Sequence, residues 1–179
     1  SGITTPGQWF VDAGKGRLYL WPPDDEDPNQ SWITAPWLTS AVEVAGSPDQ
    51  PVEHLRFQGL NVVRTALQPL DRSKPRSAFG APGAGIRMAG VEHVTVRRCT
   101  LRDLEANAVQ AAGHVRRCTI TECTITRCGG AGINLGGGLK DPDAPCAHNR
   151  ITENHIYDCG TIYWHSSAIN AGMSEKNII

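Results

Sequence analysis

The chain has 179 residues, of which 40% are hydrophobic, and it carries a formal net charge of −1. This composition is that of an ordinary globular domain, and the near-neutral charge gives no electrostatic reason to expect a nucleic acid partner. The longest apolar runs are too short to cross a membrane, and the amino terminus has no charged and apolar export leader, so we expect any signal to lie outside this chain.

The first predicted element is a β-hairpin over residues Gln8 to Trp21. Aromatic and aliphatic residues flank the turn Ala13-Gly-Lys-Gly16, which is rich in residues that accept positive φ. A proline-rich acidic loop follows the hairpin, and a further strand is predicted at Ala41–Val44. We therefore expect residues 1–51 to form an amino-terminal hairpin and capping segment.

An eleven-residue pattern then occurs three times, with copies that begin at Val94, Cys118 and Asn149. The copies start 24 and then 31 residues apart, which indicates a repeat architecture. An aliphatic residue stands third and eighth in each copy, and Cys or Asn stands sixth, an arrangement that fits two short strands joined by a sharp bend. The stacked positions are Val96, Ile120 and Ile151; Cys99, Cys123 and Asn154; and Leu101, Ile125 and Ile156.

A third short strand accompanies each copy, so that three strands and three bends form one turn of a coil. These strands are predicted at Gly85–Met88, Ala108–Ala111, Gly132–Leu135 and Ala168–Ala171. The earlier segment Leu55–Val62 aligns when Phe57 is placed on Val96, and it supplies the first rung. The sequence therefore predicts about four rungs over residues 52–179.

Two stretches interrupt the repeat, Thr65–Gly83 and Gly136–His148. Both are rich in proline or glycine and are predicted to leave the coil as loops. Insertions of this kind often carry the function of a repeat protein.

This pattern resembles the right-handed parallel β-helix proteins of the pectate-lyase-like superfold. The hairpin and the proline-rich segment after it are similar to the leading segment of bacterial β-helix proteins related to glycoside hydrolases. The resemblance implies an all-β fold, a right-handed parallel β-helix (solenoid) with an amino-terminal β-hairpin cap, and it implies that this chain is a fragment. The superfold carries lyases, hydrolases, epimerases and adhesins alike, so the fold does not decide the activity.

Five of the six cysteines fall at repeat positions that the register points inward. We interpret them as small core residues. Stacked equivalents would hold their Cβ atoms about 4.8 Å apart, farther than a disulfide prefers. The spacing of Cys118, Cys123 and Cys128 also differs from that of zinc sites, so neither a metal site nor a cofactor is predicted.

The third strands also carry one outward polar residue on each rung: Arg87, Gln110, Asn134 and Asn170. Polar side chains about 4.8 Å apart suit an extended glycan with regularly spaced hydroxyls, although a solvated sheet face would be polar in any case. Tyr163 and Trp164, in a short loop before the last strand, are predicted to stack on sugar rings. The alternative role for Trp164 is to cover the core.

Three residues are candidates for catalysis: Asp103, Asp158 and His165. Glycoside hydrolysis needs two carboxylates. Asp103 and Asp158 occupy equivalent places two rungs apart, which separates their backbones by about 10 Å. Arg127 lies in the rung between them, so a structural charge ladder is the alternative interpretation. His165 is a candidate general base because imidazole exchanges protons near neutral pH.

These features predict a carbohydrate-active β-helix protein, with part of a glycoside hydrolase acting on a polysaccharide or oligosaccharide as the first choice. The alternatives are a non-catalytic module that binds glycan or protein, and a polysaccharide lyase or epimerase. An extracellular or periplasmic location is expected. A coil that stops at Ile179 leaves an open rung, so the chain is predicted either to associate end to end or to have been cut from a longer β-helix.

Overall fold

The structure is a computed structural model that describes residues 2–23, 26–66, 81, 83–136, 146–172 and 174–179. All regular secondary structure in these residues is β-strand. The chain divides into two compact units, residues 1–35 and residues 36–179. Most of the two predicted insertions, residues 67–80 and 137–145, lies outside the described residues.

The first unit contains the predicted hairpin. Strand β1 (Trp9–Asp12) pairs antiparallel with β2 (Arg17–Leu20), and the register places Trp9 opposite Leu20. The turn between the strands contains Gly16 at φ 61°, a conformation that glycine adopts without a steric penalty. The hairpin is therefore confirmed, and its role as a cap stays a prediction.

The second unit is a coil of three parallel sheets. Sheet 1 contains β3 (Ser40–Ala45), β4 (Val52–Glu53), β7 (Ala84–Glu92), β10 (Asn107–Arg116), β13 (Ile133–Leu135), β14 (Cys146–Ala147), β17 (Ile169–Ala171) and β18 (Ser174–Glu175). Sheet 2 contains β5 (Arg56–Gln58), β8 (Thr95–Arg97), β11 (Thr119–Thr121) and β15 (Arg150–Thr152). Sheet 3 contains β6 (Asn61–Val63), β9 (Thr100–Leu104), β12 (Thr124–Cys128) and β16 (His155–Cys159). The chain visits the three sheets in turn, which is the predicted parallel β-helix.

The register of the coil is the one that the repeat predicts. In sheet 2, Ile120 lies between Val96 and Ile151, and Phe57 lies next to Val96. The three aliphatic residues of this column are no more than 2% exposed. Equivalent columns from sheets 1 and 3 meet them inside the coil, so the core is a stack of aliphatic layers.

The strand predicted at residues 41–44 is also present, as β3. It pairs in parallel with β7, with Val42 opposite Ile86 and Val44 opposite Met88. The structure thus adds this strand to sheet 1, where it extends the coil by one strand before the first copy of the repeat.

Each bend of the coil contains one residue in the left-handed region: Gly59 (φ 67°) in the second bend of the first rung, and elsewhere a residue other than glycine with φ between 50° and 59°. In the first bend, from sheet 1 to sheet 2, these residues are His54, His93, Arg117, His148 and Lys176. In the second bend, from sheet 2 to sheet 3, the residues other than glycine are Arg98, Glu122 and Glu153. In the third bend, at the end of sheet 3, they are Arg64, Asp103, Arg127 and Asp158. One such residue per bend turns the chain sharply while successive rungs stay in register.

The insides of the bends hold the predicted ladder of Cys and Asn. The Asn154 side chain accepts a hydrogen bond from the Cys123 N–H (3.0 Å) and donates one to the Ile120 carbonyl (2.9 Å). Asn149 bonds in the same way to Cys118 and Val115. These amides pair backbone groups that the bend removes from the sheets, and a buried backbone group without a partner would cost free energy.

All six cysteines are free thiols, and five of them are buried. Burial raises the pKa of the Cys118 thiol, and likewise that of Cys123, to about 11. Both thiols are therefore protonated at neutral pH, as the interpretation of small core residues requires.

Candidate functional site

The polar residues predicted for the third strands do lie in one row across sheet 1. The register places Gln110 between Arg87 and Asn134, and Asn170 next to Asn134. Strand β3 extends this row by one residue, because Glu43 pairs with Arg87. We call these five residues, Glu43, Arg87, Gln110, Asn134 and Asn170, the polar row.

The prediction that this row faces solvent is right only at its Arg87 end. Arg87 is exposed, whereas Gln110 is 7%, Asn134 0% and Asn170 9% exposed. The Oε1 atom of Gln110 accepts hydrogen bonds from Asn134 (2.9 Å) and from Asn107 (2.6 Å). The Gln110 amide donates to the Gly136 carbonyl (3.3 Å). The central amides therefore bond to one another and to the chain, and they form the buried part of the site.

The exposed end of the row contains a carboxylate that the sequence did not single out. Glu43 is exposed, and its Oε1 atom lies 3.8 Å from Nε of Arg87. A sequence signal existed, because the alternation Ala41-Val-Glu-Val44 points Glu43 outward. The repeat does not reveal it, because this segment precedes the copies that define the repeat.

The loop of residues 160–167 reaches the opposite end of the row. The Asn170 side chain donates a hydrogen bond to the His165 carbonyl (3.1 Å), and the Ser167 hydroxyl donates to the Asn170 oxygen. These bonds attach the loop to the row. Trp164, in the same loop, is 70% exposed, so its ring is available to a ligand beside Asn170.

Tyr163 takes a different position from the one predicted. It is 4% exposed, and its backbone N–H donates to the Gly129 carbonyl (2.9 Å), which turns this part of the loop against the coil. The ring is thus buried and cannot stack on a sugar in this structure, so the aromatic surface of the loop is that of Trp164.

The candidate catalytic residues do not come together. His165 is exposed and lies at the Asn170 end of the polar row. Asp103 and Asp158 lie on the third bend, where the register places Arg127 between them. The two aspartates are therefore two rungs apart, as predicted, and are separated by about 10 Å at the backbone.

Asp103 is held by arginines, as the charge-ladder interpretation expects. Arg127 donates to both of its carboxylate oxygens (2.6 and 3.0 Å), and Arg102 donates to one of them (2.6 Å). The hydrogen bonds from Arg127, and after them those from Arg102, lower the pKa of Asp103 to about 2. A carboxyl group this acidic cannot serve as a proton donor near neutral pH, so the geometry favours a structural role.

The ion pair between Asp103 and Arg127 predicts an acid-sensitive contribution to stability. The folded pKa lies below that of an unfolded aspartate, about 3.9, so the contribution is complete above that pH and is lost as the pH falls toward 2. Asp103 is 29% exposed, and solvent screening limits the effect to about 1 kcal/mol. We expect Asp103→Asn to lower the free energy of unfolding in urea at pH 7, and to lower it less at pH 2.5.

The control for this experiment is Asp158→Asn, which removes the same charge at the equivalent place two rungs away. Asp158→Asn should lower the free energy of unfolding by less than Asp103→Asn does, because the hydrogen bonds from Arg127 go to Asp103. Equal losses in both variants, or a loss at Asp103 that does not change with pH, would contradict the assignment.

Within the described ranges, no group of three or more His, Cys, Asp or Glu side chains is arranged to hold a metal ion. The same residues contain no helix that is long and apolar enough to cross a membrane.

Comparison with known proteins identifies the family. The protein-family model named right-handed β-helix region matches residues 84–179, which are more than half of the chain. The chain therefore belongs to this family. Among solved structures, a protein named glycoside hydrolase superposes with a TM-score of 0.75 at 18% sequence identity, over 90% of this chain and 34% of that one. This chain thus spans about a third of the length of that protein, and at this identity the likeness shows the fold. No curated protein matches the chain.

Proposed function

We propose that this chain is the β-helix part of a carbohydrate-active enzyme, most specifically a glycoside hydrolase, and that a glycan lies across sheet 1 along the polar row. The observation that carries the proposal is the exposed Trp164 ring in a loop bonded to Asn170, the last residue of the row. An aromatic face beside a line of polar groups is the usual composition of a sugar-binding surface. The structural likeness to a protein named glycoside hydrolase supports the same class.

The two ends of the row have different tasks in this proposal. Arg87 and Glu43 supply exposed charged groups for sugar hydroxyls, and Trp164 supplies a stacking surface at the other end. Between them, the buried amides of Gln110 and Asn134 keep the strands in register through their mutual hydrogen bond. Arg87 and Asn170 are three rungs apart, about 14 Å, a distance that a short oligosaccharide spans.

Three acid–base groups of this chain remain candidates for the chemistry: Glu43, Asp158 and His165. Glu43 is exposed within the row itself, and His165 is exposed in the loop that carries Trp164. Asp103 is the weakest candidate, because two arginines hold it ionised.

Because Arg102 and Arg127 both bond to the Asp103 carboxylate, a second candidate function is favoured, a glycan-binding module without catalysis. Hydrolysis requires two suitably placed carboxyl groups, and one of the two predicted ones has a structural role. Incubation with the bound glycan separates the candidates: new reducing ends indicate a hydrolase, whereas binding without products indicates a module.

The proposal predicts that Trp164→Ala weakens glycan binding by about 1–3 kcal/mol, the usual contribution of an aromatic anchor. Affinity electrophoresis against a panel of plant and bacterial polysaccharides would identify a ligand and then compare the variant with the parent. Tyr157→Ala is the matched control, since Tyr157 is also an exposed aromatic residue but lies in sheet 3. Binding that is lost equally in both variants, or a parent that binds nothing in the panel, would refute the proposal.

A further inference from the structure

Two cysteines lie on neighbouring rungs at the end of sheet 3. The register pairs Cys128 of β12 with Cys159 of β16, and both side chains belong to the core of the coil. Cys128 is 0% exposed, whereas Cys159 is only partly buried. We call these two residues the thiol pair. Because it lies inside the coil, an inference about it does not depend on the glycan proposed for sheet 1.

The two side chains of the thiol pair have the same orientation. The Cys128 thiol donates to the Thr126 carbonyl (3.5 Å), and the Cys159 thiol donates to the Tyr157 carbonyl (3.4 Å). Thr126 and Tyr157 are themselves paired in register. The two cysteine side chains are therefore parallel, and their sulfur atoms are separated by the strand spacing, about 4.8 Å.

This separation is too long for a disulfide, but it suits a metal ion that bridges the two sulfur atoms. In a disulfide the sulfur atoms are only about 2.05 Å apart. A metal–sulfur bond is about 2.3 Å long, so two such bonds in a straight line span about 4.6 Å. An ion midway between the sulfur atoms would thus bind to both without a movement of either strand.

The surroundings of the thiol pair determine which ion it suits. On the other side of Cys128 the register places Leu104, which is 2% exposed. Among the residues that the structure describes, no third His, Cys, Asp or Glu side chain completes a site with the two thiols. Structural zinc sites take four ligands, and calcium and magnesium take oxygen ligands. Thiolates alone select soft ions, of which Cu(I) is one.

Cys159 gives an ion a route of entry that a second pair of stacked cysteines lacks. Cys99 and Cys123 occupy equivalent places in the second bend, and each is 1% exposed. Burial raises the pKa of Cys123 to about 11, whereas the neighbouring Cys128 thiol, which can donate toward the Cys159 sulfur, lowers the pKa of Cys159 to about 7. The thiolate is the form that binds metal. Cys159 is therefore accessible and partly ionised at neutral pH, and Cys123 is neither.

We propose that the thiol pair binds one Cu(I) ion in linear two-sulfur coordination, with Cys128 and Cys159 as the two ligands. Binding forms two copper–sulfur bonds, and each protonated thiol loses its S–H proton to water. No electron is transferred, so no oxidant or reductant is needed. The ion joins two neighbouring rungs, and the unfolded chain does not hold the two sulfur atoms at this spacing. Binding therefore also stabilises the folded coil.

The probe is Cu(I) itself, titrated without oxygen into the reduced chain in competition with the Cu(I) chelator bicinchoninate. We expect one bound ion per chain, with an X-ray absorption spectrum that shows two sulfur neighbours and no nitrogen or oxygen neighbour. Bound Cu(I) should protect Cys159 from alkylation by iodoacetamide, which peptide mass spectrometry locates, whereas Zn(II) at the same concentration should not. These measurements use the parent chain, so they do not depend on the folding of a variant.

Cys128→Ala and Cys159→Ala should each lower the affinity for Cu(I) tenfold or more, because each leaves a single sulfur ligand. Cys123→Ala is the matched control, since it removes a buried thiol from the other stacked pair. This control should bind Cu(I) like the parent. Cu(I) should raise the melting temperature of the parent and of Cys123→Ala, and it should raise that of the other two variants less. Circular dichroism would show that all three variants are folded.

Four results would overturn the inference. They are no binding of Cu(I) by the parent, a nitrogen or oxygen atom among the ligands, an unchanged affinity in Cys159→Ala, and an equal loss of affinity in Cys123→Ala. Binding of Zn(II) as tight as that of Cu(I) would also overturn it, because two thiolates in line do not meet the coordination that zinc requires.

Discussion

Replacing Ile120 by aspartate should abolish cooperative folding or reduce the stability of the chain severely. Ile120 is 2% exposed and lies in sheet 2 between Val96 and Ile151. An aspartate there would place an unpaired carboxylate among stacked aliphatic side chains, at a cost of several kcal/mol. Domains of this size are stable by only about 5–15 kcal/mol. Thermal and urea unfolding followed by circular dichroism would measure the loss.

The matched control is Thr119→Asp, one residue earlier in the same strand. Thr119 points out of the coil and pairs with Arg150 on one side and Thr95 on the other, so a new carboxylate would face an arginine and water. We expect a change below about 1 kcal/mol, as for other surface substitutions. A parent-like melting curve for Ile120→Asp, or comparable losses in both variants, would show that the inward register is wrong.

The second large effect is expected for Gly90→Ala. Gly90 has φ 59°, and a Cβ atom at this position would overlap the backbone of Gly46, which crosses directly against it. The left-handed conformation costs alanine about 1–2 kcal/mol. The overlap adds a further cost of about 1–3 kcal/mol, because two backbone segments have to separate. Urea denaturation should therefore show a loss of about 2–5 kcal/mol.

Gly113 offers a control that separates the two contributions. It occupies the corresponding part of β10 on the next rung, with φ 71°, and a Cβ atom there would have no neighbour within 4 Å. Gly113→Ala should lower the free energy of unfolding only by the cost of the left-handed conformation, about 1–2 kcal/mol. If both alanine variants lost the same amount, close packing against Gly46 would not be the reason for glycine at position 90.

The register of the coil could be predicted from sequence because the repeat states it directly. Stacked rungs need an aliphatic residue at the same inward place, so the shared positions of Val96, Ile120 and Ile151 already specified which strands pair. The Asp103–Arg127 ladder followed from the same alignment. Both predictions rest on spacing along the chain, which the sequence contains in full.

The burial of the polar row could not be predicted in this way. Alternation along a strand shows that Gln110 and Asn134 point away from the aliphatic columns, but not whether water reaches them. That depends on Asn107 and Gly136, which bond to Gln110 from places outside the repeated pattern. The burial of Tyr163 likewise depends on how its loop closes over Gly129.

The basic residues of the first bend have a signal in the sequence. His93, Arg117 and His148 are the residues directly before the three copies of the repeat. The eleven-residue pattern begins at the first inward residue after the bend, so these three positions lie just outside it. Extended by one position toward the amino terminus, the pattern has a basic residue in all three copies.

The parallel register also determines how far apart in the chain the paired residues are. Ile120 pairs with residues 24 positions before and 31 positions after it, and Val42 pairs with a residue 44 positions later. Within the described coil no pair of strands forms a hairpin, so each rung closes a loop of tens of residues, at an entropic cost of about 3 kcal/mol, before its hydrogen bonds form. A rung has no partner for its strands until its neighbour is in place. The order of assembly is therefore constrained by geometry: the coil grows outward from whichever two rungs meet first.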